Sequence, residues 1–338
     1  MILDICNQSM KKWLLVVGIL FAIPVIGQES VKMDWNGYTQ LRMHSNFRGQ
    51  NNFMLRRLKF WMKSNTNFSK HWSYKLQTTI SSLQKEHFFL QDVRIGYQTG
   101  QFRLDMGQFV PAYSLQRSQS DYTLDFIERA KPVDYLLPGT GMGFRDIGAQ
   151  INYFSKSSFW EISLGVFNGY GIKDYILDNQ GYMLTHKTTI KPIQGTEKIK
   201  LGYSLQYRKA NNIQLKYILP DDFRYFGDEF RYNLFAMYRS KNLHLQTEYL
   251  AAKASNHWVG GYYFSAALKI KERNQLALSY EKNSGLIGSN NNSPFFHIAY
   301  NYFFNKRKLM LFLDNAFQLN DGEADQYLLS IQLQIFFK

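Results

Sequence analysis

An exported, all-β chain folded as a transmembrane antiparallel β-barrel of about 16 strands is the fold class this sequence predicts. Three observations carry the expectation: segments of about ten residues in which apolar and polar side chains alternate, connectors that are short and long by turns, and an N-terminal leader.

The leader comes first. Met1 to Ser9 carry no recognisable signal, but Met10-Lys11-Lys12 opens a positive region and an apolar run follows from Trp13 to Ile23. Val25 and Gly27 stand where a signal peptidase takes small residues. Residues 1–27 therefore read as an upstream stretch plus a cleaved signal peptide with its true start at Met10, and residues 28–338 as a single barrel domain. The run is short for a transmembrane helix and ends in a cleavage-like site, which signals export rather than anchoring. Cys6, the one cysteine, lies inside that leader, so the mature chain has no thiol for a disulfide or for catalysis.

Aromatic residues make up 17% of the chain, and a mean hydropathy of −0.35 is what alternating lipid-facing and water-facing side chains average to. The formal charge of +14 falls to about +13 once Lys11, Lys12 and Asp4 are left out. Such a charge suits nucleic acid, an acidic membrane surface or anionic solutes, and export argues against nucleic acid.

Strands are expected at 35–45, 53–66, 71–81, 87–98, 101–109, 144–154, 159–168 and 186–193, then at 197–208, 229–239, 242–253, 259–271, 274–283, 294–304, 307–318 and 326–337. Lys198 to Arg208 shows the pattern best. Ile199, Leu201, Tyr203, Leu205 and Tyr207 share one face, while Lys200, Gly202, Ser204 and Gln206 share the other. Tight connectors (Thr99-Gly100, Ser240-Lys241, Glu272-Arg273, Asn305-Lys306) alternate with long ones at 110–143, 169–185, 209–228, 284–293 and 319–325. Outer-membrane barrels have this asymmetry of periplasmic turns and external loops. Trp72, Tyr97, Tyr153, Trp160, Tyr238, Trp258 and Tyr302 fall near segment ends, as interfacial girdles require.

Motifs for chemistry are sparse. The seven histidines (His44, His71, His87, His186, His244, His257, His297) have no metal-ligand spacing on any one strand, and no metal or other cofactor is expected. Gly139-Thr140-Gly141-Met142-Gly143 lacks the helix and the Lys-Ser/Thr of a phosphate cradle and reads as a loop. With no Gly-x-Ser-x-Gly and no carboxylate–histidine pairing in view, no catalytic residue is assigned.

The notable constellation is basic. Leu58, Phe60 and Met62 facing lipid leaves Arg57, Lys59 and Lys63 toward the lumen, and the same register turns Lys75, Arg94, Arg103, Lys198, Lys200, Arg208, Arg231, Arg239 and Lys269 inward. Fewer acids share that face, chiefly Asp92, Asp105, Glu161, Glu229, Glu248 and Glu281. An excess of inward Lys and Arg repels cations and draws anions.

Several stretches resemble the phosphate-selective porins O and P: Phe53-x-x-Arg56-Arg57-x-x-Phe60, His71 to Gln77, Asp92 to Tyr97, Met106 to Phe109, Ser114 to Arg117, Asp125 to Arg129 and Phe144 to Gln150. They span about the first half of the mature chain; the second half matches in strand rhythm. The resemblance implies a sixteen-stranded trimeric barrel with an inward-folded third loop, here 110–143, and an arginine pair at Arg56 and Arg57. Where the family usually carries a lysine just after Gly-Gln-Phe, this chain has Val110, followed by Pro111. General anion passage survives that change.

The expectation is thus an outer-membrane channel for passive diffusion of small anions, with phosphate as one candidate, surrounded by outer-membrane lipid and assembled as a homotrimer. Arg57, Lys59, Lys63, Lys75, Arg94 and Arg103 on the strands, and Arg117, Arg129 and Lys131 on the loop, are the expected anion path. The alternatives are a barrel enzyme and a plugged structural barrel.

Overall fold

The structure, a computed structural model, describes residues 33–66, 68–82, 87–137, 144–172, 181–193, 195–320 and 323–337. The expected signal peptide and the Gly139–Gly143 run lie outside the described residues.

Sixteen antiparallel strands close into one barrel, each bonded to its neighbour in sequence. They are β1 (Asp34–Ser45), β2 (Asn51–Asn65), β3 (Trp72–Ser81), β4 (His87–Thr99), β5 (Phe102–Phe109), β6 (Asp146–Phe154), β7 (Trp160–Phe167) and β8 (Tyr182–Ile190). Then follow β9 (Ile199–Ile213), β10 (Tyr225–Arg239), β11 (Leu243–Ala254), β12 (His257–Lys271), β13 (Asn274–Ser284), β14 (Phe295–Asn305), β15 (Leu309–Asn320) and β16 (Glu323–Phe337). Closure runs from the Gly37–Phe337 pair to the Ser45–Leu329 pair, so both ends of the barrel sequence sit at the end with the short turns.

The expected alternation sets the faces. Leu164, Leu201, Leu234, Phe264 and Ile298 are exposed on the outer wall, while Asn233, Asn301, Gln332 and Gln334 are buried within. Outward aromatics pair near the turn end, with Trp72 against Tyr97 at 5.0 Å and Phe102 against Tyr153 at 5.2 Å. Outward charges among the described strand positions lie at the rims, Lys209, Asp228, Lys253 and Lys282 near the loop end and Lys271 at the turn end, where a charge meets head groups instead of hydrocarbon.

Boundaries depart from expectation on one side of the barrel. β8 runs from Tyr182 to Ile190, not 186–193; β9 continues to Ile213 and β10 begins at Tyr225. There Met183, Ala210, Ile213 and Tyr225 face inward into an apolar cluster, so both faces read as apolar and the alternation disappears. Pro192, just past β8, cannot donate to a ladder and marks its end.

Two bulges shift the inward set. Gln40 pairs with Arg57 but Leu41 pairs with Leu55, leaving Arg56 as the extra residue of β2. Gln77 pairs with Asp92 and Thr78 with Leu90, which makes Gln91 the extra residue of β4. A bulge lets two consecutive residues point the same way, so Arg56 joins Arg57 on the inside, where strict alternation sends it to lipid.

Candidate functional site

The β5–β6 connector decides what the lumen looks like. It carries a short helix α1 (Leu115–Ser118), a 3-10 turn (Asp121–Thr123) and a second helix α2 (Lys131–Leu136). Helix starts leave backbone N–H groups without intrahelical partners, and here the wall supplies carboxylates for them. Glu248 of β11 accepts from the N–H groups of Leu115 and Gln116 at 2.8 and 2.7 Å. Glu281 of β13 accepts from the Lys131 N–H at 2.7 Å. Asn301 of β14 donates to the Asp125 carbonyl at 2.7 Å, and Lys187 of β8 donates to the Ser114 carbonyl at 2.7 Å. Gly261 of β12 makes room for α2: a Cβ built there lies 3.1 Å from Pro132 Cβ. These contacts put the segment inside the ring of strands, against the wall from β8 to β15.

On that side the lumen is packed. Val133 and Leu136 of α2 join Met183, Leu250, Val259 and Tyr263 from the strands, and Leu215, Ile218 and Leu286 from other connectors, in one buried apolar cluster. The charges there are spoken for. Glu229 lies between Arg208 and Arg231, Asp314 accepts from His297 at 2.8 Å, and Asp125 binds His244 at 2.5 Å and Arg307 at 2.7 Å.

The opposite edge of the loop meets β1 and β2. Asp121 binds Arg57 at 2.5 Å and Lys59 at 2.6 Å, and also Arg129 of its own segment. Burial away from water by itself raises the Asp121 carboxyl, but Arg57, Lys59 and Arg129 hold it well below the ordinary carboxylate range. Glu128 bridges Arg56, at 2.8 Å, and Arg42. Its carboxyl too is held low, Arg56 and Arg42 outweighing the loss of water on burial.

Between this edge and β1–β5 runs a cavity of about 480 Å³, lined among others by Lys59, Lys63, Lys75, Arg94, Arg117, Arg129 and Arg145 against the acids Asp92 and Asp121. A second cavity of about 440 Å³ shares Lys63, Lys75 and Arg94, and adds Arg103 and Asp34 toward the turn end. Together they form a basic lane along the wall. In the strand registers Lys63 stands opposite Lys75, and Lys75 opposite Arg94, so three cations lie in a row across β2, β3 and β4. Asp92 binds Lys75 at 2.6 Å and Arg145 at 2.8 Å; Asp105 lies 2.9 Å from Arg103 and 3.5 Å from Arg94.

Of the nine residues expected on the path, Lys59, Lys63, Lys75, Arg94, Arg117 and Arg129 line the first cavity and Arg103 the second. Two stand elsewhere. Arg57 is buried at 8% exposure beneath Asp121, where it holds the loop. Lys131 lies on the far side of α1 and α2, its ammonium 3.5 Å from the centre of the Phe295 ring. Arg145 also lines the first cavity, while Arg42 and Arg56, the latter one of the arginine pair that the family resemblance implied, hold Glu128 of the loop. Arg42 was readable as inward by alternation from Gln40, Arg56 needed the bulge, and Arg145 precedes the start of β6 and carries no periodic signal.

A sequence profile described as phosphate-selective porin O and P matches residues 33–281, most of the chain and well beyond the stretches that carried the resemblance. The chain belongs to that family. This porin is therefore an outer-membrane protein, and its sixteen-stranded barrel is the architecture of a channel. No curated protein sequence matches it. Solved structures with the same architecture include an anion-selective porin from Comamonas acidovorans (TM-score 0.65, 11% identity, covering 91% of this chain and 100% of that one). Others are Salmonella typhi OmpF in complex with daunomycin (0.66, 13%, 91% and 98%) and a trimer form of OmpT from Vibrio cholerae (0.62, 10%, 91% and 100%). At these identities the likeness is one of fold.

Proposed function

We propose that this porin conducts small anions by passive diffusion along the lane between β1–β5 and the β5–β6 loop, and that it does so without catalysis. One observation carries the reading: Lys63, Lys75 and Arg94 occupy directly opposed positions on three adjacent strands. Like charges in such pairs destabilise a sheet. Asp92 beside Lys75 and Asp105 beside Arg94 relieve part of that cost, Lys63 makes no ion pair among the described residues, and a passing anion offsets the rest. The acids on the other side of the lumen are engaged with helix starts, arginines and histidines, and leave the basic excess of the lane standing. Val110 lines the lane where the family usually has lysine, which favours general anions over a tight phosphate site.

The Comamonas neighbour, described as anion-selective, and the trimer form of OmpT support the same picture, and we include a homotrimer in it. Cleavage of residues 1–27 as upstream stretch and signal peptide belongs to it as well.

The test is the zero-current potential across a salt gradient in a planar bilayer. Wild type shows anion selectivity, and Lys63→Gln, Lys75→Gln, Arg94→Gln together bring the potential close to zero. A cation-selective wild type, or a triple variant identical to it, overturns the reading. A plugged barrel is the second reading, favoured by the apolar cluster that fills the other half of the lumen; a reconstituted protein that conducts no ions decides for it.

A further inference from the structure

One wall of the lane is aromatic. Trp61 of β2 and Tyr122 of the 3-10 turn both line it, their rings parallel to within 1° and their centroids 6.2 Å apart. Tyr38 and Phe336 back them: Tyr122 meets Phe336 edge-on at 4.7 Å, and Tyr38 stacks on Phe336 at 5.2 Å. Four rings from β1, β2, β16 and the loop therefore make one rigid block. Among the described residues, neither the Trp61 indole N–H nor the Tyr122 hydroxyl bonds another protein group.

Such a wall is a poor lining for a bare inorganic anion. The face of an aromatic ring is the negative end of its quadrupole and repels an anion, while the ring edge and any N–H or O–H attract one. A saturated sugar ring presents the opposite polarity, C–H groups that lie well on an aromatic face and hydroxyls that accept from N–H and O–H. Two residues along β2 from Trp61, and facing the same way, Lys63 begins the row of three cations. Ring contact and acid contact are thus offered side by side. The cavity of about 480 Å³ falls inside the range of about 300–1,000 Å³ typical of small-molecule sites.

We propose that the lane selects anions built on a sugar ring, a pyranose bearing a phosphate or a carboxylate. The ring packs against the stacked pair of Trp61 and Tyr122 while the acid group reaches Lys63, Lys75 and Arg94. The inference rests on the anion-channel reading and adds the substrate class to it.

The full protein, reconstituted in a planar bilayer, is challenged with glucose 6-phosphate, glucuronate, inorganic phosphate and glucose, and the concentration of each that halves the ion current is read. Glucose 6-phosphate and glucuronate are expected to act at concentrations about tenfold below phosphate, the size of one good ring contact, with glucose weakest. In Trp61→Ala with Tyr122→Ala the ratio of phosphate to glucose 6-phosphate collapses toward one. Should that variant fail to show the heat-dependent gel shift of a folded barrel, Trp61→Leu with Tyr122→Leu keeps apolar bulk and carries the same comparison. A wild-type ratio near one in an anion-selective channel overturns the sugar-ring proposal alone, and so does a ratio that the variants leave intact. A cation-selective wild type overturns both this proposal and the anion reading beneath it.

Discussion

The two halves of the lumen are built from the same kind of strand and end in opposite states. Along β1–β5 the inward side chains face an open lane and are mainly basic; from β8 to β15 they meet the loop, an apolar cluster and carboxylates already bonded. The difference teaches that inward does not mean wet. Lumenal charge acts on a solute where the cations outnumber the acids that partner them, as they do on the lane, and the partners here come from the loop and from neighbouring strands. Arg231, on the packed side, is bound to Glu229 and the Leu136 carbonyl, whereas Lys63, on the lane, makes no ion pair among the described residues.

Removing the divider should have the largest effect. Replacing residues 120–128 by a Gly-Ser bridge takes away the 3-10 turn and its bonds to Arg57, Lys59 and Arg56, and single-channel conductance should rise severalfold. An unchanged conductance would mean that this segment does not limit the path.

Next comes the anchor on the packed side. Glu248 is 1% exposed and accepts from two loop N–H groups and from the Tyr263 hydroxyl at 2.7 Å. Glu248→Ala leaves those donors buried without a partner, a loss of about 3 kcal/mol. It should appear as a lower urea midpoint for the folded barrel and as noisier current. Equal midpoints would show that the apolar cluster holds the loop unaided.

A matched pair sharpens the contrast directly. Lys63→Glu on the lane should move the zero-current potential strongly toward cations, while Lys131→Glu, seated against Phe295, should move it little. Equal shifts would erase the distinction between the two sides.

Acid should have the smallest effect over the ordinary range. Asp121, Asp125 and Glu128 of the loop titrate below their usual values of 3.8, 3.8 and 4.5, because the arginines, Lys59 and His244 around them outweigh the loss of water on burial. Groups depressed in the folded state contribute stability that is complete above the unfolded values and is lost as pH falls through the lower, folded ones. These three latches should therefore hold from about pH 8 to about pH 5 and open, with a rise in conductance, only in strong acid, well below about pH 4. Asp134 of the same loop, its carboxyl pushed up to about 7 by burial, takes up a proton inside the first of these ranges. A rise near pH 6 would point to another group as the latch.

The sequence by itself determined the strand number, the closure and, apart from the bulged positions Arg56 and Gln91, the inward set on the lane side. There, polar and apolar residues alternate along β2, β3 and β5, and the pattern follows from the geometry of a single strand. It also marked the long third connector by its length. What it could not settle lies where alternation fails or where partners are distant in the chain. Met183, Ala210 and Tyr225 face an apolar cluster, so the ends of β8, β9 and β10 left no periodic trace. Arg56 turned inward through a bulge that depends on the register with β1. Which cations stay open to the lane was decided by meetings across the barrel: Arg57 with Asp121, Glu248 with Leu115, Glu281 with Lys131. Side-chain direction in a strand is local and can be read residue by residue. Charge compensation belongs to pairs separated by 60 to 150 positions in these cases, and only the closed barrel brings them together.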